Sequence, residues 1–197
     1  MNNIAVLVLA AGKSSRMKSI KQLEKIGNKT LLELTLEKAK QLPIKNIFCV
    51  LGANASLIKS KIKTENIEFI INHNFNEGLS SSIISGIHHF KKNHFKFDGF
   101  LVLLADQPAI EISYLNTLIS LFNNDSSKII ASNYGDFFGV PALFSSKYYD
   151  ELLLIKGDKG AKNFINQNTK DTLSPKIKAN LVDIDTKQDL DSYNKSI

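Results

Sequence analysis

A loop near the start of the chain carries residue types that bind phosphate. It follows an apolar run at residues 4–9 and begins Leu9-Ala10-Ala11-Gly12, so small side chains let backbone N–H groups approach a ligand closely. Ser14 follows in the same loop, and two cations, Arg16 and Lys21, lie downstream of it. Successive exposed N–H groups form an anion-binding concavity, and arginine adds paired hydrogen bonds to phosphate. The loop therefore predicts a site for a phosphorylated ligand.

Spacing excludes two common nucleotide-binding loops here. A P-loop requires a glycine five residues before the Gly12-Lys13-Ser14 run, and position 7 is leucine. The dinucleotide-binding fingerprint requires three glycines in the order G-x-G-x-x-G, and this loop contains Gly12 alone. The loop is therefore not that of a P-loop kinase or NTPase, nor that of a Rossmann dehydrogenase.

A candidate metal ligand, Asp106, follows a second apolar run at residues 99–104. Pro108 fixes the turn after it, so the carboxylate is expected at the carboxyl end of a buried strand. Mg²⁺ binds one or two carboxylates together with phosphate oxygens and waters, which suits Asp106 opposite a triphosphate. The alternative is a helix cap, but the next helix begins near Ser113, seven residues away. We therefore favour the metal role.

Two further carboxylates, Asp183 and Asp185, lie two positions apart on a predicted strand at residues 181–184. Side chains at i and i+2 of a strand share one face, so either could complete the metal site. Asp185 or Thr186 would equally suit the N-cap of the last helix. Asp183 is the preferred second ligand, and the choice between the two stays open.

Other polar residues give weaker signals. The segment from Gly78 to Ser82 opens a helix whose N-terminus can accept polar or anionic groups, although an ordinary serine cap explains one of its serines. His88 and His89 diverge by about 100° on a helix and cannot easily share a metal, so we interpret them as solvated. The single cysteine, Cys49, excludes an internal disulfide and favours a reducing compartment.

Alternating strands and helices must position these residues. Apolar runs predict strands at residues 4–9, 46–51, 67–71, 99–104, 128–132, 139–144 and 181–184, and helical periodicity appears at 31–42, 56–63, 79–92, 113–122, 148–154, 161–166 and 187–194. Pro141 places its strand at an edge or a bulge. The order predicts one α/β domain over residues 1–197, with three layers and a mostly parallel sheet. Its active edge is expected at the carboxyl ends of the strands.

Charge and hydropathy limit the partners. The chain has 25 Lys and Arg against 19 Asp and Glu, a net charge of +6, and the excess lies in residues 1–98, with 15 against 7. This excess favours an anionic ligand, but it forms no uninterrupted basic block, so we expect no nucleic-acid binding. The N-terminal apolar run covers about eight residues and follows no basic segment, so a buried strand is favoured over a signal peptide. No apolar stretch approaches the ~20 residues of a membrane span. We expect a cytoplasmic protein that does not contact membranes.

The loop over residues 9–21 resembles the L-A-A-G-x-S-x-R-M-G-x-x-K signature of the GT-A-like (MobA-like) nucleotidyltransferases. Later segments resemble the molybdenum cofactor cytidylyltransferase branch of that family in the same order: residues 72–86, 103–108, 139–141, 157–161 and 182–186. The similarity spans about residues 4–191. Lys18 stands where the family usually has glycine, which adds bulk and charge to the loop, and Lys162 stands where arginine is usual.

The resemblance implies a Rossmann-like GT-A fold and a Mg²⁺-dependent transfer of CMP from CTP to molybdopterin, with release of pyrophosphate. The Ala10-Ala11 pair matches the cytidylyl branch, because guanylyl relatives usually read L-A-G-G there. It implies catalytic roles for Arg16 and the loop amides on the β and γ phosphates, and for Lys21 on the α-phosphate. Asp106, with Asp183, would hold the metal. A molybdoenzyme or its maturation chaperone would be a plausible protein partner.

The resemblance also implies which residues surround each substrate. The nucleotide-binding set is Leu9, Ala10, Ala11, Gly12, Ser14, Arg16, Lys21, Asn72, Gly78, Ser82 and Asp106. The acceptor side comprises Gly139, Pro141 and Asp158. Two alternatives stay open: a cytidylyltransferase acting on a sugar or polyol phosphate, and a non-catalytic nucleotide-binding accessory protein, which Lys18 would favour.

Overall fold

Nine strands form the β-structure of the computed structural model, which describes residues 2–196. They are β1 Ile4–Ala10, β2 Lys25–Ile26, β3 Lys29–Thr30, β4 Asn46–Leu51, β5 Glu68–Ile71, β6 Gly99–Leu104, β7 Ile129–Asn133, β8 Phe138–Ser145 and β9 Thr172–Leu173. All seven residues of β1 are buried, as expected of a continuous apolar run covered on both sheet faces. The two-residue strands β2 and β3 form a separate hairpin.

Seven α-helices connect these strands. They are α1 Leu31–Gln41, α2 Ala55–Lys61, α3 Leu79–Lys92, α4 Ile112–Asn124, α5 Tyr149–Leu152, α6 Gly160–Gln167 and α7 Lys187–Ser196. The start of α1 is fixed by a capping box, in which the Thr30 hydroxyl accepts from the Glu33 N–H and the Glu33 carboxylate accepts from the Thr30 N–H. Over residues 2–196, no helix is both long and apolar enough to cross a membrane.

The main sheet has seven strands in the order β5-β4-β1-β6-β8-β7-β9. Strand β8 runs antiparallel to both neighbours, and every other pairing in the sheet is parallel. The predicted α/β class with a mostly parallel sheet is therefore confirmed. One face packs on α1 and α4 and the other on α3 and α6, giving three layers.

Pro141 lies at a bulge, one of the two positions that were expected. Strand β8 lies inside the sheet between β6 and β7, so the bulge and not an edge accommodates the proline. The predicted irregularity is present, since Ala131 pairs with Ala142 while the next residue, Ser132, pairs with Gly139. Val140 and Pro141 bulge out of the ladder between those two pairs, where the missing proline N–H removes no ladder hydrogen bond.

The predicted strand at residues 181–184 is wrong, because this segment follows no ladder in the sheet. Its apolar character has another cause: Ile184 is fully buried in a small cluster with Met17, Leu31 and Leu190. The Ile184 N–H also donates to the Asp106 carbonyl at 2.9 Å. These contacts tie the C-terminal part of the chain to the loop that follows β6.

Candidate functional site

A cleft of about 430 Å³ opens at the carboxyl ends of β1 and β6. Its walls come from the loops after these two strands, the loop before α3, and two later segments. The lining residues are Leu9, Ala10, Ala11, Gly12, Lys13, Ser14, Ser15, Arg16, Lys21, Gln22, Phe75, Asn76, Gly78, Leu79, Ser82, Leu104, Ala105, Asp106, Asp158 and Asp185. The cleft therefore brings together most of the nucleotide-binding residues that were expected from the sequence.

One buried amide, that of Gln22, holds the loop after β1. Its Nε2 donates to the carbonyls of Ala10 at 2.8 Å and Gly12 at 3.0 Å. Its Oε1 accepts from the Ser14 hydroxyl at 3.2 Å, and the Ser14 oxygen in turn accepts from the Lys21 N–H. The side chain is only 4% exposed, so its bonds fix the loop in a water-poor setting where each bond matters for stability.

Gly12 keeps part of the cleft open. A Cβ added at this position would meet no protein atom within 4 Å. Contacts within the protein therefore do not require glycine at this position. The backbone does not require it either, because its φ lies outside the left-handed region. The absent side chain leaves space on the ligand side, as expected where a phosphate approaches the backbone.

The structure shows where the bulk of Lys18 goes. Lys18 is exposed, does not line the cleft, and has a φ of 57°. This left-handed backbone favours glycine, which explains why a glycine signature would suit the position. The lysine side chain therefore lies outside the cleft. Its unfavourable effect is on the backbone, because a residue with a Cβ adopts a left-handed φ here.

A chain of ion pairs joins the loop to the carboxylates on the opposite side of the cleft. The Lys21 ammonium lies 2.6 Å from Asp106 Oδ2 and 2.9 Å from Asp185 Oδ1, and Arg16 contacts the other Asp185 oxygen at 2.8 Å. The Lys21 side chain is 15% exposed, whereas that of Arg16 is 70% exposed. The Arg16 contact is thus a screened surface pair, and the Lys21 contacts are the stronger ones.

Burial and neighbouring charges act in opposite directions on Lys21. Burial disfavours its ammonium form, but the charge and hydrogen bond of Asp106, with those of Asp185, outweigh burial and raise the pKa of Lys21. Burial and the neighbouring charges of Asp106 and Asp185 raise the pKa of Asp183. Lys21 therefore stays charged.

The second carboxylate that lines the cleft is Asp185, and the metal role expected of Asp183 stays a prediction. Asp183 does not line the cleft, and its Oδ1 accepts from the Gln107 amide at 2.8 Å. The cap of α7 is made by Thr186, whose hydroxyl accepts from the Asp189 N–H, while Asp189 accepts from the Thr186 and Asp185 N–H groups. Because Thr186 makes the cap, the Asp185 carboxylate is free to face Lys21.

The third wall joins the N-terminus of α3 to the segment before α6. Asp158 Oδ1 accepts from the Leu79 N–H at 3.2 Å, and the Ser80 N–H and hydroxyl both donate to the Gly157 carbonyl. Gly78 has a φ of 91°, and an added Cβ would lie 2.6 Å from the Asp158 nitrogen. This close approach requires glycine and brings Asp158 into the cleft wall.

Asn72 lies behind this wall instead of lining the cleft. It is 1% exposed, and its Nδ2 donates to the hydroxyls of Ser81 at 2.8 Å and Ser82 at 3.1 Å. Its expected contact with nucleotide stays a prediction, and the contacts that the structure shows are with the serines at the start of α3. Ser82 lines the cleft and is oriented by Asn72.

Gly139 and Pro141, expected on the acceptor side, also lie outside the cleft lining. The Tyr134 hydroxyl donates to the carbonyl of Val140 and accepts from Gln107, the residue after Asp106. Burial raises the pKa of Tyr134 to about 12, so the hydroxyl stays protonated and can donate. The bulged part of β8 is thus linked to the carboxylate loop by one chain of hydrogen bonds.

Sequence reasoning gave no role to several cleft-lining residues, among them Gln22, which follows Lys21 directly, and Phe75, whose ring centroid lies 5.7 Å from the Lys13 ammonium. It also missed Lys38, outside the cleft lining, which donates to the carbonyls of Pro108 and Ile110. Burial lowers the pKa of Lys38. The periodicity of α1 gives no sign of the Lys38 contact, whereas the position of Gln22 in the loop could have suggested it.

The carboxylates of the cleft can hold a divalent cation. Asp106 Oδ1 is buried and, within residues 2–196, has no hydrogen-bond partner. A carboxylate oxygen of this kind beside a second carboxylate suits Mg²⁺, which takes few protein ligands and completes its shell with phosphate and water. In the same part of the chain no three His, Cys, Asp or Glu side chains form a ready-made metal group.

Comparison with known proteins places the chain in a family. The sequence model of the family described as MobA-like NTP transferase domain matches residues 6–172. The bifunctional protein GlmU of Buchnera aphidicola is 34% identical over 119 residues, which cover 59% of this chain and 25% of GlmU. The purine catabolism protein PucB of Bacillus subtilis is 29% identical over 124 residues, 61% of this chain and 58% of PucB. The chain matches less than two thirds of either relative.

Solved structures show the same fold. The Rv0371c homologue of Mycobacterium sp. strain JC1 has a TM-score of 0.84 at 26% identity, covering 98% of this chain and 96% of that one. Rv0371c of Mycobacterium tuberculosis, in complex with manganese, has a TM-score of 0.81 at 23% identity, with 98% of each chain covered. Molybdopterin-guanine dinucleotide biosynthesis protein A of Archaeoglobus fulgidus has a TM-score of 0.71 at 18% identity, covering 98% of this chain and 97% of that one.

Proposed function

The chain belongs to the MobA-like NTP transferase domain family, and from this premise we propose that it transfers CMP from CTP to molybdopterin and releases pyrophosphate. One observation carries the proposal. A single cleft has the small-residue loop and Lys13, Arg16 and Lys21 on one side, and Asp106 and Asp185 on the other. Cations and loop amides suit a triphosphate, and the carboxylates suit its counter-cation.

The transfer needs no nucleophile from the protein. A phosphate oxygen of the acceptor forms a bond to the α-phosphorus, and the bond from that phosphorus to the bridging oxygen breaks. Pyrophosphate leaves with the electron pair, so atoms and charge balance without a covalent enzyme intermediate. Catalysis then depends on holding the two phosphates in line and on neutralising the developing charge.

The residues of the cleft divide this work. The loop from Leu9 to Ser14 would orient the triphosphate through its backbone, and Arg16 would bind the β and γ phosphates. Lys21 would neutralise the α-phosphate. Asp106, with Asp185, would hold magnesium, which when bound offsets the negative charge of the triphosphate. Manganese in the Rv0371c structure supports a divalent cation in this fold.

The choice of CTP and molybdopterin follows from the resemblance in detail. The Ala10-Ala11 pair favours the cytidylyl branch, and the A. fulgidus relative carries a name that refers to molybdopterin dinucleotide biosynthesis. The acceptor would enter beside Asp158. We further propose that residues 1–197 act as one domain in the cytoplasm, and that the product passes to a molybdoenzyme or its chaperone.

A pyrophosphate-release assay tests the proposal. The purified protein is given each of the four NTPs with Mg²⁺, with and without molybdopterin, and with sugar and polyol phosphates in parallel. Turnover is expected with CTP and molybdopterin together. Turnover with a sugar phosphate but not with the pterin would refute the acceptor. CTP binding without turnover on any acceptor would refute the enzyme and leave the accessory protein.

A further inference from the structure

The ion pairs of Lys21 place an internal cation where an external one would bind. Its ammonium lies between Asp106 Oδ2 and Asp185 Oδ1, at 2.6 and 2.9 Å, and so joins carboxylates that are 85 and 164 positions away in the chain. The side chain is largely buried, and the serine that accepts from its backbone N–H is itself bonded to Gln22. Lys21 is therefore held at both its backbone and its ammonium.

The same residue has two mutually exclusive tasks. In the proposed reaction it neutralises the α-phosphate, whereas in the structure its ammonium forms ion pairs with both carboxylates. Asp106 keeps one buried oxygen, Oδ1, without a partner in residues 2–196. A carboxylate that is half satisfied by an ammonium binds a divalent cation less well, because two like charges then share one anion.

We propose that Lys21 is a built-in counter-cation that lowers the affinity of the Asp106–Asp185 pair for a divalent cation until a nucleotide is present. When the triphosphate enters, the Lys21 ammonium leaves the carboxylates for a phosphate oxygen, and both carboxylates become available. Nucleotide and divalent cation then each increase the affinity for the other, since linkage makes such coupling reciprocal. This inference rests on the proposed function only for the identity of the anion that draws Lys21 away.

The pairing of Lys21 with both carboxylates would serve a nucleotidyltransferase by controlling when a divalent cation binds. A site that bound a divalent cation tightly without substrate would hold it on the protein, in a geometry set by carboxylates alone. With Lys21 in place, the cation enters together with the triphosphate, in the form in which it is bound to phosphate oxygens. The protein thereby selects the metal-nucleotide complex.

Manganese titration without nucleotide tests the role of Lys21. Free Mn²⁺ is followed by its electron paramagnetic resonance signal in solutions of the wild-type protein, Lys21→Met and Lys13→Met. Lys21→Met removes the internal cation and is expected to bind Mn²⁺ about tenfold more tightly, within the usual range of coupling between sites. Lys13→Met is the matched control, since Lys13 lines the same cleft but lies beside the Phe75 ring instead of the carboxylates. Its Mn²⁺ affinity is expected to equal that of the wild type.

Each outcome decides the proposal. Equal or weaker Mn²⁺ binding by Lys21→Met would overturn it, as would an equal gain in Lys13→Met, which would show a general loss of positive charge. If Lys21→Met does not fold, Lys21→Gln, whose amide can still donate to both carboxylates, serves the same test.

Calorimetric titration with CTP separates this inference from the proposed function. Wild-type protein that binds no CTP would refute the proposed function, whatever the manganese result. CTP binding and turnover together with unchanged Mn²⁺ affinity in Lys21→Met would refute the counter-cation alone.

Discussion

The two sides of the cleft are built in opposite ways. The phosphate side is one short segment, residues 9–22, held by the Gln22 amide through contacts of 8 to 12 positions. The carboxylate side joins Asp106, Asp158 and Asp185, which come from three distant parts of the chain. Lys21 belongs to the first segment and binds two members of the second. One half of the site is therefore a local motif, and the other half is assembled by the fold from distant parts of the chain.

The largest effect is expected on the carboxylate side, from Asp106→Asn. Loss of this charge removes the cation ligand and a partner of Lys21, so turnover should fall by about 10²–10³-fold, as for other single groups that stabilise a transition state. Steady-state pyrophosphate release measures it. Asp150→Asn is the control, because that carboxylate is 90% exposed and pairs with Lys91 on the surface. Activity of Asp106→Asn within a few-fold of the wild type would contradict the expectation that turnover depends most on the carboxylate side.

The next effect tests whether the phosphate side is held locally. Gln22→Leu keeps the size of the side chain but leaves the Ala10 and Gly12 carbonyls without their donor. The free energy of unfolding should fall by about 1–3 kcal/mol, measured by urea denaturation. The control is Gln41→Leu, at the exposed end of α1. Equal stability of the two variants would mean that Gln22 does not hold the loop.

A smaller effect separates ligand space from protein packing. Gly12→Ala should leave stability unchanged, because its Cβ meets no protein atom, but should weaken CTP binding about tenfold, or ~1.4 kcal/mol. Gly78→Ala is the contrasting variant, since its Cβ would collide with the backbone at residues 157 and 158 and its φ is positive. Calorimetry and denaturation of both variants give the result. Unchanged CTP affinity in Gly12→Ala would place the triphosphate elsewhere.

The smallest effect concerns backbone conformation on the phosphate side. Lys18→Gly relieves the left-handed φ of 57° and should raise the free energy of unfolding by up to about 1 kcal/mol. Lys40→Gly, in the exposed last turn of α1, should lower it by about 0.5–1 kcal/mol. Denaturation curves that move in the same direction for both variants would contradict the strain at Lys18.

The same contrast explains what the sequence could predict. The strands β1, β4 and β6 and the helix α3 are long apolar or periodic segments, so their places follow from local patterns. The phosphate side could be predicted as well, because residues 9–22 are continuous in sequence. The two-residue strands β2, β3 and β9 are too short to show any periodicity.

Errors arose where tertiary contacts decide the outcome. Leu181 and Ile184 pack against apolar clusters without joining the sheet, so burial was interpreted as a strand. A strand there would place the side chains of Asp183 and Asp185 on one face, whereas Asp183 accepts from the Gln107 amide and Asp185 pairs with Lys21. A motif indicates which residues a fold needs, but it does not show which of them line a cleft: Asn72 is buried and bonded to Ser81 and Ser82.

The contact between Lys21 and Asp185 has a consequence for biogenesis. The two residues are separated by 164 positions, and Asp185 lies beyond the part of the chain that the family model matches. During synthesis the phosphate loop emerges early, but its anionic partner emerges only after nearly all of the sheet. Contacts of such long range carry a high closure entropy and form late in folding. In a nascent chain Asp106 could therefore compensate the charge of Lys21 first, and docking of α7, which brings Asp185, would be the step that completes the site.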